Sequence, residues 1–272
     1  MKETVLYESS LVEIGVFAVD PNEPHFIETG YVQDPIIVFP KNSIWIQHEG
    51  SEPFVADTTL VNFYNSGQQY RRFAIHPAGD YCHWFRINDA LLSEVVSAER
   101  FHFSRENMPC PPTVFLQHLQ LLHDLQVTEP LDSIVVDVQV LQLFQDLLNQ
   151  AEGVAGQLRR PTARHQRLTE RVKESLQADL SVNLSLQQLA HTHHTSPYHL
   201  SRVFKSVSGM GINQYRKQQR LRQLLLEMQQ QTTDLVDLAF DFGFASHSHM
   251  SASFKQCFGM SPSLCRQSIT DL

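Results

Sequence analysis

The C-terminal part of the chain repeats itself at an offset of 50 residues. His199-Leu-Ser-Arg-Val-Phe-Lys205 is echoed by His249-Met-Ser-Ala-Ser-Phe-Lys255, Gly209-Met210 by Gly259-Met260, and Arg216 by Arg266. Seven identities fall within 18 aligned positions. Upstream, Leu189-Ala190 matches Leu238-Ala239 once one residue is inserted in the second turn. A solenoid needs more than two copies, because each unit is stabilised by stacking on its neighbours. Two small helical units side by side satisfy the pattern better.

Each copy has the layout of a helix, a turn and a second helix. In the first, Leu186, Leu189 and Ala190 form the apolar side of a short helix, and His194-Thr195 makes the turn. Ser196 can cap the next helix with its hydroxyl, and Pro197 suits the first helical position, where no N–H is required. Leu200, Val203, Phe204 and Val207 then recur at i, i+3, i+4 and i+7, which turns Tyr198, Ser201, Arg202 and Lys205 outward. In the second copy Leu235, Leu238 and Ala239 open the first helix, Gly243 suits a left-handed turn, and Ser246 caps a helix burying Met250, Phe254 and Phe258. His247, Ser248, Ser251 and Lys255 are left outside. Such a helix fits a major groove, its N-terminal residues facing base edges. Between the copies, 212–230 reads as one long helix carrying the basic run Arg216, Lys217, Arg220 and Arg222. A rigid connector fixes the separation of the two outward helices. Groove geometry then predicts two contacts about one helical turn apart, roughly 10 base pairs.

The remainder of the chain is organised differently. From 5 to 87, short runs rich in β-branched and aromatic residues (11–19, 36–39, 43–47, 60–64 and 81–87) are punctuated by Asp, Asn, Pro and Gly turns, as in a sandwich or barrel. Helical spacing follows in Val114, His118, Leu121, Leu122 and Leu125. It recurs in Leu131, Ile134, Val135, Val138, Leu141 and Leu148, behind Pro130 as a helix start. Val136, Val140, Phe144 and Leu147 widen that second stripe beyond what one face against a small barrel requires, so a dimer contact or packing on two neighbours is expected. The stretch 152–161, with two glycines, two arginines and a proline, reads as a linker.

Charge separates along the same line. The whole chain carries −8, but residues 1–161 hold 9 basic and 21 acidic residues, a net −12, whereas 162–272 hold 12 and 8, a net +4. Asymmetry of this kind points one end toward a polyanion. No apolar run approaches the roughly 20 residues that span a bilayer, and the N-terminus lacks the apolar core of a signal peptide. The four cysteines, Cys82, Cys110, Cys257 and Cys265, show neither C-x-x-C pairing nor zinc spacing, so a reduced, cytoplasmic protein is expected.

The repeat region, from Leu184 to about Arg266, closely resembles the AraC/XylS family of transcription regulators. The most specific stretch is Leu238-Ala-Phe-Asp-Phe-Gly-Phe-Ala-Ser-His-Ser-His-Met250, leading into Phe254-Lys255, Phe258-Gly259 and Ser261-Pro262. The resemblance implies a seven-helix unit with recognition helices at 196–208 and 246–258. It matches Tyr198, Ser201 and Arg202, and His247, Ser248 and Ser251, to base-reading positions. This chain departs from the family at four places: His194 stands where the first turn usually has Gly, Gly211-Ile212 where Ser-Pro is usual, Cys265 at an aromatic position, and Ala252 in place of a frequent Arg. The last change shifts the second unit toward phosphate contacts and register. The N-terminal half resembles the family's usual partner, a cupin-like barrel with dimerising helices, in its strand pattern and in stretches such as Phe54-Val-Ala-Asp57 and Gly79-Asp-Tyr-Cys-His-Trp-Phe85.

The expectation is therefore a two-domain protein. Residues 1–152 form an all-β cupin-like barrel with dimerisation helices, serving as sensor, and residues 162–272 an all-α double helix-turn-helix that binds DNA. DNA contacts are assigned to Tyr198, Ser201, Arg202, Lys205, His247, Ser248, Ser251 and Lys255. Double-stranded DNA, RNA polymerase, a second copy and a small-molecule effector are the partners, and activation is the expected sign of regulation. For the effector, Tyr70, Arg72, His76, Tyr81 and His83 are the candidates, since alternate residues of a barrel strand face inward. No cofactor, metal or catalytic residue is expected. His191, His193, His194 and His199 straddle a helix end with no acidic partner, and no His-x-His of an enzymatic cupin occurs in 1–161. A cupin-type enzyme with a helical appendage is the alternative, and it leaves the repeat unexplained. An effector-free, constitutive DNA-binding protein is a third.

Overall fold

The computed structural model describes residues 2–75, 77–88, 102–126, 131–155, 161–229 and 233–270. Its contacts divide the chain into two units, Met1–Ala151 and Glu152–Leu272.

The first unit is built from two antiparallel sheets. The larger has the order β1-β2-β9-β4-β7-β10, with β1 Lys2–Glu8, β2 Val12–Val19, β9 Asp80–Ile87, β4 Ile36–Pro40, β7 Leu60–Tyr64 and β10 Asn107–Pro109. The smaller has the order β3-β8-β5-β6, with β3 Gly30–Tyr31, β8 Gln69–Ala74, β5 Ile44–His48 and β6 Phe54–Ala56. The single closed barrel expected from the strand pattern is corrected here: the two sheets are not joined into a ring. Among the described residues, strand β1 pairs only with β2 and β10 only with β7, so the larger sheet ends in open edges there.

Pleating decides what β9 offers to each side. Cys82 and Trp84 join Val38, Ile44, Ile46 and Phe54 in the apolar layer between the sheets. Trp84 lies opposite Gly15 on β2, and a Cβ at Gly15 would sit 2.3 Å from the indole. The missing side chain of Gly15 is what admits the ring. His83 and Phe85 take the other side of the strand, beneath helix α1 (Pro112–Gln126). There the His118 ring stacks on Phe39 at 4.2 Å, and its Nε2 lies 3.4 Å from His83 Nδ1. Helix α2 (Ser133–Ala155) buries Val136, Val140, Leu143, Phe144 and Leu147, while the Tyr7 hydroxyl donates to Asp137. The start expected at Pro130 lies outside the described residues.

The second unit is helical. Among the described residues seven helices follow α2: α3 Ala163–Gln177, α4 Leu186–Thr192, α5 Pro197–Ser208, α6 Ile212–Met228, α7 Leu235–Asp241, α8 His247–Phe258 and α9 Pro262–Thr270. Val172 and Leu176 of α3 pack with Leu189, Ala190, Leu200, Phe204 and Tyr215 in one apolar cluster. The Gln177 amide donates to the Tyr215 hydroxyl at 2.9 Å, tying α3 to α6.

One buried histidine makes the first unit acid-sensitive. His48 is 1% exposed; Gln68 Nε2 lies 2.7 Å from its Nδ1, and burial pushes its pKa down to about 4. A folded value below the unfolded 6.5 means that the stability due to neutral His48 is fully present above about pH 6.5 and is lost as pH falls toward 4. Other groups titrate in the same window: the buried Asp80 carboxyl, raised to about 6, acts in the opposite direction. Comparison with a variant isolates the histidine. Thermal melts of the full chain between pH 7 and 5 should show a shallower loss of Tm for His48→Gln than for the native protein; parallel slopes would remove His48 from the acid response.

Candidate nucleic-acid interface and the cavity between the sheets

Helices α5 and α8 begin alike. Ser196 accepts a hydrogen bond from the His199 backbone N–H at 3.2 Å, with Pro197 at the first helical position. Ser246 does the same for His249 at 3.1 Å. Each helix ends on a left-handed glycine, Gly209 and Gly259, whose N–H returns to the carbonyl of Lys205 or Lys255. The inward stripes are buried: Leu200, Val203 and Phe204 on α5, and Met250, Phe254 and Phe258 on α8.

The outward faces differ in openness. On α5, Tyr198, Ser201, Arg202 and Lys205 are all exposed, Tyr198 to 77%. On α8, Ser248 and Lys255 are exposed, whereas His247 and Ser251 are half-buried, their side chains 3.4 Å apart. Ala252 is exposed, so the position of the missing arginine opens to solvent. Of the residues assigned to DNA from the sequence, four lie together on α5 and four along α8.

The turns before these helices are not equivalent. His194 takes φ +50, the single non-glycine positive φ among the described residues, a conformation that costs an L residue roughly 1–2 kcal/mol. Gly243 takes φ +69, and there the need for glycine is also steric. A Cβ would lie 2.4 Å from the Ser181 carbonyl oxygen and 2.8 Å from Arg220 Nη2.

Arg220 explains that crowding. From the middle of α6 its Nε donates to the Leu180 carbonyl at 2.7 Å and its Nη1 to the Gly243 carbonyl at 3.0 Å. Its Nη2 reaches Ser181 and Val182, both at 3.3 Å. One guanidinium thereby joins the segment leading into the first helix-turn-helix to the turn of the second. Burial lowers its pKa, the like charge of Arg216 adds to that, and Asp179 opposes it. Arg216 Nη2 donates to Leu184 at 2.5 Å. On the other side, Lys217 Nζ donates to Gln256 and Cys257 Sγ to Gln218, holding α6 to α8. The basic run of α6 is thus mostly structural: Arg216, Arg220 and Arg222 are buried, and only Lys217 remains half-exposed. Sequence reasoning missed this, because a buried arginine binding carbonyls leaves no mark in the pattern of residue types. Of the histidine cluster, His193 serves the fold: its backbone N–H caps the end of α4, donating to the Leu189 and His191 carbonyls, and its ring Nε2 meets Ser175 Oγ at 3.1 Å.

The first unit contains a cavity of about 670 Å³ between its sheets. Of the five effector candidates, Tyr70 and Arg72 line it. Tyr81 and His83 do not line it: strand pleating sets them on the opposite side of β9, where Lys41 lies over the Tyr81 ring at 4.2 Å and His83 meets His118. His76 lies outside the described residues. Asn62, Asp80 and Trp84, which were not among the sequence candidates, also line the cavity; alternation along β9 sets Trp84 apart from Tyr81 and His83 without saying which set faces inward. Arg72 is 4% exposed; its Nη2 donates to the Tyr70 hydroxyl at 2.7 Å, and its Nε lies 3.6 Å from the Asp80 carboxylate. Burial raises the Asp80 carboxyl to about 6 although Arg72 pulls it down.

Two capped, outward-facing helices held on one clamped connector define a double helix-turn-helix DNA-binding regulator. The helix-turn-helix domain family matches residues 189–268. The HTH-type transcriptional activator AarP of Providencia stuartii is 32% identical over 95 residues, 35% of this chain and 70% of that protein. The right origin-binding protein of Escherichia coli is 31% identical over 93 residues, 34% of this chain but only 32% of that protein's own length. Among solved structures, ToxT from Vibrio cholerae aligns over 97% of this chain and 100% of its own at 13% identity, with a TM-score of 0.40. The chain belongs to the AraC family of transcription regulators.

The two glycines at the second helix-turn-helix separate backbone strain from crowding. Gly259→Ala, where the added Cβ meets nothing within 4 Å, should lower stability by about 1–2 kcal/mol. Gly243→Ala should cost about 3 kcal/mol or more, since the Ser181 carbonyl and the Arg220 clamp must also move. Denaturant unfolding of the full chain checks the difference; equal losses would mean that the clamp yields freely.

Proposed function

We propose that this protein is a sequence-specific transcriptional activator that reads DNA with α5 and α8 and answers to a small molecule held between the sheets of its first unit. The observation that carries the reading is the pair of capped helices with open polar faces on one clamped connector. By that reading Tyr198, Ser201 and Arg202 read bases, and Lys205 and Lys255 grip phosphate. His247, Ser248 and Ser251 add weaker base contacts, fitting the half-buried His247–Ser251 pair and the absence of an arginine at Ala252. Residues 162–272 are the DNA-binding domain, and residues 1–152, a cupin-like sandwich, are the sensor. Activation follows the role of AarP, a transcriptional activator, and requires RNA polymerase as a partner in the cytoplasm. No helix of the described residues is long and apolar enough to cross a membrane.

The same reading makes the protein a homodimer through α2. The stripe read from the sequence divides in two: Phe144 is core, whereas Ile134, Val135 and Val138 are 69%, 46% and 57% exposed, beside half-buried Leu141. Apolar side chains at this spacing on one open helix face suit a second copy of the helix. Val135→Lys with Val138→Glu should give folded monomers in sedimentation and weaker binding to paired sites, because linking two modules raises the effective concentration of the second. A native chain that is monomeric at micromolar concentration would end the dimer reading.

DNA binding by the full chain should fall steeply with salt, as neutralised phosphates release counterions. Arg202→Ala should relax selectivity at one base position by about 1–3 kcal/mol, and Lys205→Ala should weaken specific and random DNA alike. Competition footprinting separates the two; equal losses on both DNAs for Arg202→Ala would reduce that side chain to a backbone contact.

A further inference from the structure

The polar wall of the cavity is unbalanced. Among its described lining residues, four side-chain nitrogens are buried without a hydrogen-bond partner: Arg72 Nε and Nη1, Trp84 Nε1 and Arg86 Nε. All four are donors. One lining acceptor, Asn62 Oδ1, is in the same condition. The Arg86 guanidinium is already ion-paired to Glu13 and Asp34. Arg72 is not so well served, for Asp80 approaches only its Nε, at 3.6 Å and without a hydrogen bond. A buried guanidinium with idle N–H groups is costly, and the cost is removed by whatever brings acceptors to it.

We propose that the cavity takes a small organic acid, whose carboxylate accepts from Arg72 Nη1 and whose apolar body lies against Val38, Ile44, Ile46 and Trp84. A wall of donors suits a group that only accepts. A polyol brings a hydroxyl hydrogen with every oxygen, and the described wall offers fewer idle acceptors than idle donors, so a polyol fits it less well. Arginine is also the side chain whose fork matches two carboxylate oxygens at once. Asp80 is the one buried carboxylate among the described lining residues, and it lies on the Nε side of Arg72, at 3.6 Å, which leaves Nη1 to the ligand. The volume of about 670 Å³ fits a body of one ring or a short chain. The inference rests on the reading of the first unit as the sensor and names the chemical class of its effector.

The test uses the full chain with 3-phenylpropanoate and octanoate as probes. Their neutral amides and the pentose arabinose serve as controls. In calorimetry the acids should bind at least about tenfold more tightly than their amides, and arabinose should not compete. Arg72→Met should remove that preference. Trp84→Phe, which keeps an aromatic ring in the layer but removes the five-membered ring with its Nε1 donor, is the second variant and should weaken the acids more than the amides. Amides binding as well as acids, arabinose displacing them, an Arg72→Met chain retaining the preference, or no acid binding at all would each overturn the proposal. Salt-dependent DNA binding by the same preparation is scored separately. Its loss would strike at the regulator reading, whereas DNA binding intact without acid binding strikes only at the ligand class.

Discussion

The second unit depends on a single guanidinium. Arg220 sits near the middle of the connecting helix and donates to four main-chain carbonyls drawn from two places, the 180–182 segment and the Gly243 turn. Each helix-turn-helix could form locally from its own caps and stripe. Nothing in those local rules sets one relative to the other. The clamp does so, and it uses backbone oxygens, so it fixes chain path and not merely side-chain packing. Arg216 on Leu184 and Lys217 on Gln256 extend the same service to either side. On the proposed reading, two helices in successive grooves are useful only at a fixed spacing on the duplex, and these internal hydrogen bonds then form part of recognition although they face no DNA.

Most of this arrangement was written in the residue pattern. Ser196, Pro197, Gly209, Ser246, Gly243 and Gly259 are punctuation with a mechanism, and the helices begin and end on them. The buried stripes follow from helical period. The role of the α6 arginines was not legible, because the same basic run would serve phosphate contact equally well. Their burial is a property of the assembled unit.

The first unit was legible in a coarser way. Strands β2, β4, β5, β7 and β9 stand where runs of β-branched and aromatic residues announce them. Strand β8, Gln-Tyr-Arg-Arg-Phe-Ala, was hidden, since only one of its six residues is fully buried and two are arginines. Sheet closure was misread because strand count and spacing do not encode which edges pair. The cavity wall suffered from both gaps. Alternation along β9 separated Tyr81 and His83 from Cys82 and Trp84 correctly, but which set faces the second sheet depends on a partner that sequence does not name.

The unequal turns have a consequence for how such a protein can change over generations. At His194 the left-handed backbone is a local cost of roughly 1–2 kcal/mol, and many residues could occupy it once that cost is met elsewhere. At Gly243 no side chain of any kind fits between Ser181 and Arg220. Drift is therefore open to the first turn and closed to the second. Lineages of this architecture should lose their glycine in the first turn repeatedly and independently while the second keeps it. The stretch around Gly243 would then remain recognisable as ancestry long after the first half has ceased to look related.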